Sequence, residues 1–105
     1  MASKKKTQIR EQFRRQVFTR DGYKCRVCGA SGQLDTHHII PREHIANGGY
    51  VKENGITLCS TCHLKAEDCL QMRMPMCLDY LPSELYKLIG SDAIKACEKA
   101  LELSV

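Results

Sequence analysis

The chain has 105 residues, 43% of them hydrophobic, and a formal net charge of +4, which suits one domain with at most a small appendage. No apolar run is long enough to span a membrane, no secretory leader opens the sequence, and the seven cysteines are an odd number, so a fully paired disulfide framework is excluded. Four of the seven fall at metal-binding spacing. The three left over, Cys69, Cys77 and Cys97, fit a reducing cytoplasm, which is the expected location.

The charge is uneven. Residues 1–26 carry nine basic and two acidic side chains, whereas the remainder carries seven basic and ten acidic ones. That front end suits a phosphate-backbone partner or, equally, a solubilising tail. Residues 1–6 read as a disordered basic tail. Over 8–19, Ile9, Phe13 and Val17 recur at i, i+4, predicting a helix with Thr7 as its N-cap and Arg10, Arg14 and Arg15 on its other faces, where they are expected to bind the DNA backbone. Asp21-Gly22 ends it, and Tyr23-Lys24 leads into Cys25.

Cys28-Gly29 closes a first knuckle, with glycine letting the backbone turn its amides toward sulfur. Leu34 to Ile40 predicts a strand ended by Pro41, followed by a loop over 41–50 that contains Asn47-Gly48-Gly49. Asn54-Gly55 is a turn signal, Ile56-Thr57-Leu58 a short strand, and Ser60 or Thr61 a cap for the helix that follows. Together these make a ββα unit. Residues 70–82 read as irregular, with Pro75 and Pro82 as breakers. Ser83 caps a helix striped by Leu85, Leu88 and Ile89, which Gly90-Ser91 ends or bends. Ala93, Ala96, Cys97, Ala100 and Leu101 give a last apolar face.

Cys25-Arg-Val-Cys28 and Cys59-Ser-Thr-Cys62 are two knuckles that each present two sulfurs, and four thiolates suit a tetrahedral structural Zn²⁺. No βαβ pattern surrounds either pair, which argues against a redox motif. The gap between the pairs exceeds the roughly 15–20 residues of a simple zinc ribbon, and the insert carries His37 and His38. Adjacent strand residues point to opposite faces, so these two histidines are expected to differ in role. His63 follows Cys62 directly, where the zinc would hold it rigid. Singly, His63 reads as a spare fifth zinc ligand or a surface residue, and His37 and His38 as ordinary strand residues; as a set with Asn54 they read as a second metal site.

Cys25-x₂-Cys28-Gly29, then Asp35-Thr36-His37-His38-Ile39-Ile40-Pro41-Arg42, then Glu53-Asn54-Gly55-Ile56-Thr57-Leu58-Cys59-x₂-Cys62-His63, resembles the HNH endonuclease family. The resemblance is to its small zinc-knuckle members, common in phages and mobile elements. Arg20-Asp21-Gly22-Tyr23-Lys24 fits the same group, and the likeness covers residues 13–68. It implies an α+β fold, a small zinc-stapled ββα-metal core (a His-Me finger) with an N-terminal helix and C-terminal helices. The nuclease domain would run over 7–69 and a C-terminal helical extension over 70–105.

The resemblance also implies roles. His38 matches the general base that activates water, Asn54 the asparagine that holds the loop and orients the base, and His63 a ligand of the catalytic divalent metal. His37 stands at the other metal-ligand position, where the family has aspartate or histidine. The catalytic ion would be Mg²⁺, Mn²⁺ or Ni²⁺, or Zn²⁺ itself, with paired imidazoles favouring the softer ions. Arg42 follows Pro41 and either binds the scissile phosphate or is a solvated loop arginine; His44 matches nothing. The expected function is a metal-dependent DNA endonuclease, nicking or cutting both strands, with DNA as partner and phage packaging proteins as further ones. The alternatives are a non-catalytic zinc DNA-binding or packaging accessory protein, and a zinc-stapled protein-interaction domain.

Overall fold

Two short antiparallel strands, with helices on both faces, make an α+β molecule. The computed structural model describes residues 2–72 and 79–103. In chain order come α1 (Ala2–Arg20), β1 (Leu34–His38), β2 (Gly55–Cys59), α2 (Ser60–Met72), α3 (Pro82–Leu88) and α4 (Ala93–Leu101). Three single 3-10 turns, Arg42–His44, Ala46–Gly49 and Lys52–Asn54, fill the connection between the strands. Among the described residues, no helix is long and apolar enough to cross a membrane.

The strands pair with Leu34 opposite Cys59 and His38 opposite Gly55. Side chains alternate, so β2 serves two cores at once. Ile56 and Leu58 are fully buried and join Ile39, Cys62, Ala66, Leu85, Tyr86 and Ala96 on the side of α2, α3 and α4. Gly55 and Thr57 face α1 instead. A Cβ on Gly55 would lie 2.6 Å from Val17 and 2.7 Å from Phe13, so glycine is what lets α1 lie against the sheet. Phe13 and Val17, the buried stripe of α1, meet it there.

The end of α1 is clipped to β2 by a buried carboxylate. Arg20 binds Asp21 through Nε (2.7 Å) and Nη2 (2.8 Å) and also donates to the carbonyls of Lys52 and Gly55. The Thr57 amide donates to Asp21 Oδ2 at 2.9 Å. A carboxylate this deep is tolerated because each oxygen is matched by a donor. This gives a structural purpose to the Arg20-Asp21 pair ahead of the first knuckle.

Several boundaries differ from the sequence-based expectation. The helix starts at Ala2 and not after Thr7, so residues expected to be a disordered tail are helical. Nothing between Ala2 and Arg20 breaks a helix, and lysine is a good helix former. β1 stops at His38 because Ile39 and Ile40 turn away to bond Asn54. Asn54-Gly55 makes no tight turn: Asn54 is fully buried and Gly55 opens β2 in extended conformation. Pro82 begins α3 rather than breaking the chain, with Leu81 and not Ser83 at the cap. Asp92 caps α4 by accepting from the Lys95 amide at 2.7 Å. In α3, Leu85 and Tyr86 are buried while Leu88 is exposed; in α4 only Ala96 and Ala100 of the expected face are buried. Pro75 and Cys77 lie outside the described residues.

Candidate metal centres and nuclease site

The first centre is made by the two knuckles. Cys25 and Cys28 come from the turn after α1, and Cys59 and Cys62 from the junction of β2 with α2. Their four sulfurs lie within 4.8 Å of one another, with Cys28 Sγ and Cys59 Sγ 3.5 Å apart. Zn–S bonds of about 2.3 Å set the edges of a tetrahedron at about 3.8 Å, so the arrangement fits. Gly29, with φ +83°, closes the first knuckle and donates to the Cys25 carbonyl at 2.9 Å. The Cys28 amide points at Cys25 Sγ, 3.5 Å away.

The thiols are unequal. Burial pulls Cys25 upward, but amides of Cys28, Cys59 and Val27 outweigh it and settle the thiol at about 6. Burial pushes Cys62 up to about 12. Four sulfurs this close share negative charge poorly unless a cation neutralises them, which is the chemistry of a metal cluster. The cluster can hold a structural metal such as zinc. Tyr80, preceding α3, donates its hydroxyl to Cys62 Sγ at 3.4 Å.

The second centre lies between β1 and α2. His37 is 2% exposed and faces α2, with its ring centroid 5.3 Å from that of His63. His63 and Glu67 share one face of α2 at i, i+4. His63 Nε2 is 3.2 Å from Glu67 Oε1, and His37 Nδ1 is 3.4 Å from the same oxygen. His63 Nδ1 faces Asp35 Oδ2 at 3.4 Å. Each of His37, His63 and Glu67 offers a donor atom within 4.8 Å of the others.

These residues fit a divalent cation. Both ring nitrogens of His37 are buried, and neither makes a hydrogen bond to the described residues. Burial, and then the proximity of His63, push its pKa down to about 4, so it is a neutral ligand at pH 7. Asp35 is placed to accept from His63 Nδ1–H, which leaves the Nε2 lone pair facing the Glu67 carboxylate. Two such acceptors in contact repel each other unless a proton or a cation lies between them. Sequence reasoning placed His37 and His63 here but missed Glu67 and Asp35. The i, i+4 spacing of His63 and Glu67 was the available signal.

His38 points the other way from the strand, as the alternation requires. It stacks on Phe13 of α1, centroids 4.8 Å apart, and meets the edge of Tyr50 at 4.9 Å. Burial first, and then the positive charge of Arg42, lower its pKa to about 4, so it too is neutral. It still borders a cavity of about 340 Å³ together with Thr36, Arg42, His63 and Glu67. His37 and His38 thus take separate faces, and His38 shares this opening with His63.

Asn54 is fully buried and fixes the chain that follows His38. Its Oδ1 accepts from the Ile40 amide (3.0 Å) and from the Tyr86 hydroxyl (2.8 Å), and its Nδ2 donates to the Ile40 carbonyl (3.1 Å) and weakly to Gly49. One amide therefore pins the chain just beyond His38. Tyr86 was not singled out from the sequence.

The basic residues separate. Arg42 Nη1 donates to Tyr50 Oη at 3.0 Å, and Arg10 lies over the Tyr50 ring at 5.8 Å, both beside the His38 cavity. Arg14 lies instead over Phe18, and Arg15 lines a different cavity with Arg20 and Lys52. His44 is exposed and outside both metal-ligand groups.

No curated protein and no solved structure matches this chain. Residues 25–68, the stretch from the first knuckle through Asp68, match the family model of the HNH endonuclease.

Proposed function

We propose that this protein is a metal-dependent DNA endonuclease that hydrolyses phosphodiester bonds at the opening bordered by His38, His63 and Glu67. The observation that carries this reading is convergence: a neutral histidine, an arginine, and His63 and Glu67 of a two-histidine, one-carboxylate ligand set line one cavity, with His37 buried behind them. His37, His63 and Glu67 would hold the catalytic ion, which supplies charge stabilisation for the phosphorane and the leaving 3′ oxygen. Two imidazoles with one carboxylate suit Mn²⁺, Ni²⁺ or Zn²⁺ better than Mg²⁺.

His38 takes a proton from the attacking water at a ring nitrogen. Phe13 and Tyr50 fix the plane of its ring, and Asn54 fixes the backbone that follows it. Arg42 binds the phosphate that His38 faces. Asp35 orients His63 through Nδ1. The four cysteines carry a structural Zn²⁺, which sets the start of α2 and so the position of His63. The catalytic unit spans α1 through α2, and residues 79–103 pack onto it.

Nicking of supercoiled plasmid with Mg²⁺, Mn²⁺ and Ni²⁺ in parallel tests the reading. His38→Ala should cut about 10²–10⁴-fold more slowly while binding DNA as before. A wild type that binds DNA and cuts with none of these ions would leave the accessory-protein reading in its place.

A further inference from the structure

The His38 cavity has a neighbour. A second cavity, of about 470 Å³, lies between the first turns of α1 and the turn over 46–49, lined by Lys6, Arg10, Arg42, Glu43 and Tyr50. Arg42 and Glu43 border both cavities, so the two adjoin at the Arg42 side chain. Three cations against one carboxylate leave the second cavity positive. Tyr50 organises it: its hydroxyl takes the Arg42 hydrogen bond, and its ring lies under Arg10. A glycine completes the wall, since a Cβ on Gly48 would come 2.7 Å from the Tyr50 ring. The helix start that the sequence suggested was a loose tail is the side of a shaped cleft.

We propose that Lys6, Arg10 and Arg42 around Tyr50 form a second phosphate subsite, which seats a non-scissile phosphate of the DNA strand being cut. The proposal rests on the nuclease reading above and adds where the strand runs: from the His38 opening, across Arg42, along the first turns of α1. Phosphates recur about every 3.4 Å of axis along one strand, so a strand with one phosphate at His38 has further ones within reach of Arg10. The subsite reads charge and spacing and no base edge. Lys6 and Arg10 come from the same face of α1, at i and i+4. Arg14 and Arg15 lie elsewhere and take no part in it.

The test uses a duplex oligonucleotide whose cut position has been mapped with the wild-type protein. Single uncharged methylphosphonates are placed one at a time on each side of the cut, and initial rates are read for wild type, Arg10→Ala, Arg10→Lys and the surface control Lys87→Ala. One non-scissile position should slow wild type and Lys87→Ala by about tenfold, the low end of what losing a hydrogen bond to a charged group costs. Arg10→Ala should be slower on the normal duplex and indifferent to that one position, while Arg10→Lys should recover part of the sensitivity. Independent, multiplying losses at every position would overturn the proposal.

If wild type cuts nothing, the nuclease reading fails, and the same series read by fluorescence anisotropy without added metal still decides the subsite. Inorganic phosphate supplies the final arm. If millimolar phosphate displaces the duplex through Arg10 while no methylphosphonate position depends on Arg10, the cavity is a free-anion site and the strand proposal falls.

Discussion

Asn54 ties three separate segments of this molecule together through one amide, at Ile40, Gly49 and Tyr86. It is completely buried and satisfied on both ends of its amide by Ile40 and, from the C-terminal helices, by Tyr86. Asn54→Ala leaves the Ile40 amide, the Ile40 carbonyl and the Tyr86 hydroxyl without this partner in a dry site. It should cost about 3 kcal/mol in urea unfolding, since each orphaned buried group costs about 1–3 kcal/mol. Cleavage should fall further than stability alone explains, because the backbone after His38 loses its pin. A mutant that is as stable as wild type would show that the amide is dispensable. The motif residues were legible in the sequence because their order and spacing are distinctive. Glu67, Asp35 and Tyr86 were not, because an exposed acid on a helix and a buried tyrosine have no signature until the partner is adjacent. Tyr86 makes its bond across 32 positions of chain, a separation that no local pattern encodes.

At the scale of elements, the sequence yielded the ββα order, two of the three residues of the α1 stripe (Phe13 and Val17 are buried, Ile9 only half-buried) and the break at Gly90. It misled at Asn54-Gly55, where a strong turn signal marks a buried clamp followed by a close helix–strand approach. Local turn chemistry was outweighed by packing, since only hydrogen fits beneath Phe13 and Val17. Gly55→Ala tests this account. Its backbone is extended, at φ −121°, so alanine meets no conformational strain and any cost is steric. Overpacking should destabilise the protein by about 1–3 kcal/mol and tilt Phe13 away from His38, lowering kcat while KM for DNA changes little. Adding Val17→Ala removes one of the two clashing side chains. The double mutant should recover part of the urea midpoint, a non-additive result expected only of residues in contact. Additive losses would place the cost of Gly55→Ala elsewhere. The C-terminal helices, which the sequence left without a role, are bonded to the same region. Ser91 Oγ donates to the Glu53 carbonyl at 2.9 Å, and Asn47 Nδ2 to the Ala100 carbonyl at 2.9 Å. Tyr86→Phe removes only the hydroxyl, and should cost about 1 kcal/mol through the lost bond to Asn54.

For the whole molecule, the sulfur cluster is where the chain's segments meet. The turn after α1 brings Cys25 and Cys28, the sheet brings Cys59, α2 brings Cys62, and Tyr80 reaches in from the start of the C-terminal helices. The surrounding core is small, and a chain of this length commonly needs a metal to stay folded. The second ligand group sits differently. His63 and Glu67 are partly exposed at the mouth of a cavity, whereas three of the four cluster cysteines, Cys25, Cys59 and Cys62, are buried and only Cys28 is exposed, so an ion held by His63 and Glu67 would exchange with solvent more readily than one held by the cluster. Two separable metal dependences follow. Brief dialysis against EDTA should abolish cleavage while far-UV circular dichroism stays native and about one zinc per chain remains by elemental analysis, and Mn²⁺ or Ni²⁺ should restore cutting. Titrating the thiols with a mercurial should then release that zinc, and the circular dichroism and the native fold should be lost in step with it, because binding and folding are one equilibrium at such a site. Glu67→Gln separates the centres genetically. It should keep the zinc and the melting temperature, and need a higher Mn²⁺ concentration for half-maximal cleavage. Were the protein to keep its fold after the zinc had gone, the cysteines would be a passenger site and the position of His63 would have to be set by the packing of α2 alone.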